Sequence, residues 1–231
     1  MTAARPSDKQ SSALWIGIIV VVLALGVVAV VIARGSGSGS DSTATKATVA
    51  PGAQVCANTA PVTSDGSGAQ DLPAFQSSAG DEALCATIPT IEGKDLDGKA
   101  MTIGPADGKA KLVLFVAHWC PHCQREVPLI AAHLKEVPLP SDVELLTVST
   151  DVQPTADNYP PKAWLEREHW PARTLADTSD NADALAYGLT SYPYFVVADA
   201  KGQVIYRTSG EITTDQFDAL VKSARTGTSP A

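Results

Sequence analysis

The apolar positions of this chain fall into two kinds of pattern, one unbroken run near the start and several short runs further on. Residues 14–33 read LWIGIIVVVLALGVVAVVIA, without one charged side chain. As a helix that rises 1.5 Å per residue, this segment is about 30 Å long, which matches the hydrocarbon core of a bilayer. A cleaved signal peptide has a shorter apolar region, of about 7–15 residues, that ends in small residues. The run ends before Arg34 and therefore favours a signal-anchor, a transmembrane helix that stays attached; a cleaved leader is the alternative.

Small and polar residues surround this helix and separate it from the rest of the chain. Residues 1–13 are predicted to be a short cytoplasmic tail, and the segment 34–55 begins GSGSGS and continues rich in Thr and Ala. Such a composition buries too little apolar surface to fold, so 34–55 is predicted to be a flexible linker. Residues 56–86 are rich in Gly, Ser, Pro and Asp and predict an N-terminal extension of loops and short turns; its candidate core residues are Leu72, Phe75 and Leu84.

From residue 87 to residue 224 the pattern alternates between strand-like and helix-like segments, which is typical of an α/β domain with βαβ units. The Asp97-Gly98 pair predicts a hairpin turn, and Thr213 followed by Gln216 predicts the capping box of a last helix. Residues 225–231 are predicted to be a disordered tail. The predicted strands are 111–117, 143–149, 194–199 and 203–209, and the predicted helices are 121–135, 162–169, 181–187 and 213–224.

The charge and the cysteine content limit where the protein acts. With 17 Lys and Arg against 25 Asp and Glu, the formal net charge is −8. Nucleic acid and anionic lipid surfaces bind basic patches, so both are excluded as partners. The chain has four cysteines, which fit an oxidising exterior better than a reducing cytosol. We therefore expect a single-pass protein of the cell membrane whose C-terminal domain is extracytoplasmic.

Two of the cysteines, Cys120 and Cys123, follow the predicted strand 111–117 in the sequence VAHWCPHC. Here a strand is followed directly by a helix, and the unpaired N–H groups and the positive end of the helix dipole favour the thiolate of Cys120. Cys120 is then predicted to be the attacking and more exposed sulfur, and Cys123 the buried partner that resolves mixed disulfides. His122 is expected to donate a hydrogen bond or a positive charge to the thiolate, which makes the disulfide a stronger oxidant. A solvated His122 without a redox role is the alternative.

Other chemistries of paired cysteines have different requirements. Haem attachment needs Cys-x-x-Cys-His, but Gln124 stands at the histidine position. A peroxidatic cysteine usually has Thr three residues before it, where this chain has Ala117. Structural zinc needs four ligands and would have to recruit His118, His122 or the distant cysteines. A copper site made of both thiolates and one histidine stays open as an alternative, as does a purely structural disulfide in an interaction module.

The two remaining cysteines, Cys56 and Cys85, lie at the two ends of the extension. We expect them to form a structural disulfide that ties the extension down. By loop-closure entropy, a closed loop of about 30 residues would stabilise the fold by about 3–4 kcal/mol.

A set of short motifs occurs in a fixed order along residues 87–221. They are LVLFVAHWCPHC, the helix proline Pro128, the run YGLTSYP that ends at Pro193, and a Lys-Gly hairpin before a closing helix. This set resembles thioredoxin-fold proteins of the membrane-anchored TlpA/ResA or redoxin type, which implies a central mixed β-sheet flanked by helices. The resemblance also implies that Pro193 is a cis-proline beside the redox pair, that the backbone of Tyr192 pairs with a substrate chain, and that Trp119 shields the site.

The sequence departs from thioredoxin in two places. Pro121-His122 between the cysteines is the dipeptide of DsbA-type oxidants, whereas thioredoxin has Gly-Pro. Six residues before Cys120, where thioredoxin has a buried acid that helps to move the proton of the inner thiol, this chain has Leu114. Proton transfer must then use another group, such as water or Glu126, or be slow, which argues against an efficient thioredoxin-like reductase.

Together these residues predict a membrane-anchored, extracytoplasmic thiol–disulfide oxidoreductase. We expect it to exchange disulfides with protein thiol or disulfide substrates in the oxidase or isomerase direction, and to have a membrane redox partner. No cofactor beyond the Cys120–Cys123 disulfide and no metal is expected. The alternatives are a TlpA/ResA-like thiol reductase in cytochrome c maturation and a thioredoxin-fold protein that carries copper.

Overall fold

The computed structural model describes residues 53–56, 70–105 and 107–230. The tail 1–13, the predicted transmembrane helix 14–33 and most of the predicted linker lie outside the described residues. Among the helices within the described ranges, none is both long enough and apolar enough to cross a membrane.

Seven strands and four helices occur in the described part of the chain. Each predicted strand and helix is present, with its ends within two residues of the predicted ones. The strands are β1 (Ile91–Asp95), β2 (Ala100–Ile103), β3 (Ala110–Val116), β4 (Val143–Ser149), β5 (Arg173–Ala176), β6 (Tyr194–Ala198) and β7 (Val204–Ser209). The helices are α1 (Pro121–Glu136), α2 (Pro161–Arg167), α3 (Ala182–Ala186) and α4 (Thr214–Thr226).

The strands form one mixed sheet in the order β2-β1-β5-β4-β3-β6-β7. β3, β4 and β5 run parallel to one another. β1 pairs antiparallel with β5 at one side, and β6 pairs antiparallel with β3 at the other. The predicted α/β class and mixed sheet are therefore confirmed. β5 was not predicted, because its four residues, RTLA, are too few to show a strand period, and its pairing with β1 and β4 comes only from the tertiary fold.

The central strand β3 is buried along its whole length, which explains the apolar run LVLFV within it, since a strand covered on both faces needs no polar side. Alternate side chains enter different cores. Leu112 and Leu114 pack in a cluster with residues of α1 and α4, and both redox cysteines belong to this cluster. Val113 and Phe115 pack in a second cluster, with α3 and the extension. The sheet thus places the end of β3, and the cysteines after it, next to a packed helical layer.

The extension packs closely on the second face of the sheet. Leu72 and Phe75 are buried as predicted, and their amides donate to the carbonyls of Ala186 and Gly188 at 2.7 and 2.8 Å. The prediction that Leu84 belongs to the core is wrong, because this side chain is only partly buried and the smaller Ala83 is fully buried in its place. In a turn-rich segment without a helical or strand period, the sequence does not show which neighbour points inward.

Two strong links fasten the extension to the domain. Cys56 and Cys85 form a disulfide with a Cα–Cα distance of 5.4 Å, called here the extension disulfide. In addition, Asp81 pairs with Arg207 of β7, and the side chains are only 2% and 1% exposed. The Arg207 Nε donates to Asp81 Oδ2 at 2.8 Å, and one guanidinium nitrogen also donates to the carbonyl of Pro73 at 2.8 Å. A charge buried this deeply needs such partners.

Candidate redox site

Cys120 lies where β3 gives way to α1, as the sequence predicts. It is the N-cap residue of α1 and has extended backbone angles. Its amide donates to the carbonyl of Ala117 at 3.0 Å, and its own carbonyl accepts from the amide of Gln124 at 3.0 Å. The sulfur therefore sits at the end of the helix where unpaired N–H groups and the helix dipole favour negative charge.

Both sulfurs of the pair are reduced and largely covered. Cys120 is 5% exposed and Cys123 is fully buried. The prediction that Cys120 is the more exposed of the two sulfurs is thus correct, although Cys120 is less accessible than its role as the attacking sulfur suggested. Burial raises the pKa of the Cys123 thiol far above its ordinary value, more than its hydrogen bond with the backbone of Ala117 lowers it. Cys123 therefore keeps its proton at neutral pH until a nearby group accepts it.

Glu126 is the buried acid nearest in sequence to Cys123, and it follows that cysteine by three residues on α1, a spacing that puts two side chains on one helix face. The residue is 1% exposed, and its Oε2 accepts from the amide of Ile212 at 3.1 Å. Burial raises the pKa of Glu126 to about 7, although that hydrogen bond opposes the shift. Leu114, where thioredoxin has its acid, is fully buried. Of the two proton acceptors left open by the sequence, Glu126 thus has the burial and the pKa suited to the role.

His122 faces a carboxylate from the far end of the domain. Its Nδ1 lies 2.6 Å from Oε1 of Glu211. Arg125, one turn further along α1, binds the same carboxylate through Nε, at 3.0 and 3.1 Å from the two oxygens. His122 and Arg125, called here the α1 basic pair, are both more than half exposed. The arrangement places a carboxylate between two basic groups at the edge of the redox pair.

Trp119 and Tyr192 cover the cysteines from the side of β6. Their rings meet edge to face at 6.0 Å, and both pack against the cluster that contains the two cysteines. The indole Nε1 of Trp119 donates to the carbonyl of Asp151 at 2.8 Å. The Tyr192–Pro193 peptide bond is cis, the geometry that the family resemblance implied. No described residue forms a hydrogen bond with the backbone of Tyr192, so this peptide group is free to bind another chain.

A groove of about 550 Å³ opens between this cis-proline loop and His122. The loop 190–192 and the residues 209–211 line it, and the extension contributes Phe75 and Gln76. The groove is therefore built from four segments that are separate in sequence. Its mixed polar and apolar lining suits an extended peptide segment, which presents both backbone amides and side chains.

His118, the histidine just before Trp119, is not available as a metal ligand. It is fully buried, its Nδ1 donates to the carbonyl of Asp157 at 2.7 Å, and its Nε2 accepts from the amide of Gln153 at 3.1 Å. These two partners assign a neutral ring with both nitrogens used. Within the described residues, no group of three or more His, Cys, Asp or Glu side chains is placed to hold a metal ion.

Two parts of the site were not predicted from the sequence. Glu211 is separated from His122 by 89 positions, and no local motif marks it, because the contact arises only when β7 returns the chain to α1. Phe75 was predicted as a core residue, but its place at the groove, with Gln76, follows from the packing of the extension against α3. Pairing across such distances leaves no pattern in a single sequence.

Several known proteins are similar to this chain. The sequence model of the Redoxin family matches residues 53–223. The thiol:disulfide interchange protein HelX of Rhodobacter capsulatus is 29% identical over 122 residues, which are 53% of this chain and 64% of HelX. This chain therefore spans slightly less than two thirds of that relative.

Solved structures with a similar fold come from several bacteria. StoA from Bacillus subtilis is 20% identical, with a TM-score of 0.47 over 60% of this chain and 98% of that chain. A thiol:disulfide interchange protein of the thioredoxin family from Chlorobium tepidum is 24% identical, with a TM-score of 0.49 over 68% and 97% of the two chains. The family match includes the extension, the whole sheet and both cysteine pairs, about three quarters of the sequence. This chain belongs to the Redoxin family.

Proposed function

We propose that this protein is a membrane-anchored, extracytoplasmic thiol–disulfide oxidoreductase that exchanges disulfides with protein substrates. The observation that carries the proposal is a reduced cysteine pair at the start of α1, in which Cys120 lies at the helix N-terminus and Cys123 is fully buried. Such a pair has one sulfur suited to attack and one suited to resolve. The name of the HelX relative, a thiol:disulfide interchange protein, supports the same chemistry.

The exchange takes place in two steps that conserve atoms and electrons. In the oxidising direction, a substrate thiolate attacks the sulfur of Cys120 in the Cys120–Cys123 disulfide. The bond between the two cysteines breaks, a mixed disulfide forms, and Cys123 leaves as a thiolate that takes a proton from Glu126. A second substrate thiolate then attacks the substrate sulfur of the mixed disulfide and releases Cys120 as a thiolate. The substrate dithiol loses two electrons, and the pair gains them.

Glu126 and the aromatic residues near the cysteine pair fit these steps. Glu126 has a pKa of about 7, so near neutral pH it can both give and accept a proton, which is the property needed in a group that serves both directions. Trp119 and Tyr192 shield the sulfurs from water. The unpaired backbone of Tyr192, next to the cis-proline Pro193, supplies the hydrogen bonds for an extended substrate segment in the groove.

The oxidase or isomerase direction is proposed because His122 stands between the cysteines. A positive charge there stabilises the Cys120 thiolate and hence the reduced form, which makes the disulfide a better oxidant. A TlpA/ResA-like reductase is the second candidate, because the ordered motifs of residues 87–221 resemble that group. The reduction potential of the pair, measured against glutathione, decides between them, since an oxidising value selects disulfide formation and a strongly reducing value selects reduction of substrate disulfides.

The decisive experiment uses the full chain in detergent and a fluorescent peptide with two cysteines. The oxidised protein should convert the dithiol peptide into its disulfide, or the reduced protein should do the reverse. Cys120→Ala should abolish both reactions, whereas Cys123→Ala should accumulate a mixed disulfide between Cys120 and the peptide. A parent protein without exchange activity, or a Cys120→Ala variant that behaves like the parent, rejects the proposal. One copper ion bound per reduced chain, together with absent exchange, would instead support the copper carrier.

Membrane attachment needs a separate test. Cells that produce the full chain should hold it in the membrane fraction after an alkaline wash, and a variant without residues 1–34 should be released. Protease added outside intact spheroplasts should digest the domain. Release of the full chain by the wash, or protection of the domain from protease, contradicts the proposed anchor or its orientation.

A further inference from the structure

Glu211 is held by two basic side chains at the edge of the redox pair. It lies just after β7, and its carboxylate accepts from Arg125 and faces the Nδ1 of His122 at 2.6 Å. Its hydrogen bonds with Arg125 and His122 lower the pKa of Glu211 to about 2. The carboxylate is therefore ionised whenever the enzyme works near neutral pH.

The α1 basic pair lies beside the cysteines, since His122 stands between them and Arg125 follows Cys123 by two positions on α1. The hydrogen bond with Glu211 raises the pKa of Arg125, and attraction to Cys120 adds to that shift. A positive charge near a thiolate stabilises the reduced pair. A carboxylate bound to the guanidinium weakens its field at the sulfur, because opposite charges close together partly cancel at a distance.

We propose that Glu211 is a positioning residue that offsets the positive charge of the α1 basic pair and so makes the Cys120–Cys123 disulfide a weaker oxidant than its Pro-His dipeptide alone would give. This inference rests on the proposed function. It explains why a chain with the dipeptide of strong oxidants also has a carboxylate beside that dipeptide. Glu211 is 89 positions from His122 in the sequence. In this proposal the Pro-His dipeptide therefore does not set the redox potential alone.

The chain supplies its own control in a second pair of the same kind. His133, further along α1, has its Nε2 2.8 Å from Oδ1 of Asp218 on α4. Like the Glu211 contact, this pair joins an α1 histidine to a carboxylate from the C-terminal part of the chain. It lies about three helical turns from the start of α1. Asp218→Asn therefore removes the same type of contact without altering the charge beside Cys120.

The test compares Glu211→Gln with Asp218→Asn in the full chain, and measures the equilibrium of the Cys120–Cys123 pair with glutathione. Glu211→Gln should shift the equilibrium constant about two- to fivefold toward the reduced pair, the size expected of an exposed charge contact. A shift of that size corresponds to about 9 to 21 mV in a two-electron couple. Asp218→Asn should leave the equilibrium constant at the parent value.

A double-mutant cycle shows whether Glu211 acts through the α1 basic pair. In a background with His122→Ala and Arg125→Met, Glu211→Gln should change the equilibrium constant clearly less than it does in the parent. The inference is overturned if Glu211→Gln leaves the constant unchanged or shifts it toward the disulfide, or if the shift is equally large without the α1 basic pair. A parent pair that does not exchange with glutathione rejects the proposed function as well, whereas normal exchange with an unchanged potential rejects only the role of Glu211.

Discussion

Replacing Glu126 with glutamine should make the protein more stable at alkaline pH and slower in disulfide exchange. Glu126 is 1% exposed, and burial in an apolar layer disfavours its charged form. Glutamine has nearly the same shape and still offers an oxygen to the amide of Ile212. The substitution therefore removes the buried charge and leaves the packing in place.

The size of the stability effect follows from the pKa. Burial raises the pKa of Glu126 from 4.5 to about 7, and one pKa unit corresponds to 1.36 kcal/mol. Between about pH 4.5 and pH 7 the folded state binds more protons than the unfolded state, so the free energy of unfolding falls as the pH rises. Over this window the free energy of unfolding of the parent should fall by about 3 kcal/mol relative to that of Glu126→Gln. Below this window the difference between the two proteins should not change with pH.

Urea unfolding of the reduced parent and of the variant, at about pH 4 and about pH 8, measures this difference. Glu136→Gln is the matched control, since Glu136 is an exposed residue at the end of the same helix. The same preparations report on function, because Cys123 without its acid should leave the mixed disulfide more slowly. If the parent and Glu126→Gln keep the same stability difference at both pH values, Glu126 is not a buried titrating group, and its role as proton acceptor fails with it.

Three further substitutions test how the extension is held. Asp81→Asn leaves Arg207 as a buried charge without its anion and should cost about 3–5 kcal/mol in urea unfolding; a cost below about 1 kcal/mol contradicts the pairing. Serine in place of both cysteines of the extension disulfide should cost about 3–4 kcal/mol, and equal midpoints with and without the bridge would reject that figure. At Gly188 an added Cβ would lie 2.4 Å from the Pro73 carbonyl oxygen. Gly188→Ala should therefore have a melting temperature well below that of the control Gly98→Ala, because Gly98 has a similar positive φ but open space around it. Similar melting temperatures of the two variants argue against the close approach.

The regular elements of this fold could be predicted because their patterns are local. The unbroken apolar run LVLFV in β3 fits a strand buried on both faces. The capping box before α4 needs only four residues, and both of its hydrogen bonds form, from Gln216 N to Thr213 Oγ1 at 3.2 Å and from Thr213 N to Gln216 Oε1 at 2.8 Å. The cysteine pair could be placed for the same reason, since a strand, a proline and a helix follow one another directly.

The features that sequence did not predict depend on the closed sheet. β5 forms a strand because it pairs with β1 and β4, and its four residues show no strand period of their own. Burial of Ala83 and the partial exposure of Leu84 depend on how the disulfide and the Asp81 pair orient the turn. Glu211 reaches α1 only after the chain has completed the β6–β7 hairpin. Each of these features depends on contacts between segments that are distant in sequence.

Residues inside and outside the Cys-Pro-His-Cys motif bear on the redox preference of the cysteine pair. A Cys-Pro-His-Cys segment supplies the thiolate, the helix N-terminus and one basic side chain, and all three favour the reduced pair. In our proposal Glu211 acts against that preference from outside the motif by binding the basic side chains on the surface, whereas Glu126 exchanges a proton with the buried sulfur. The proposed reduction potential therefore depends on the motif and on Glu211 together, and Glu211→Gln should shift it while the cysteines stay unchanged.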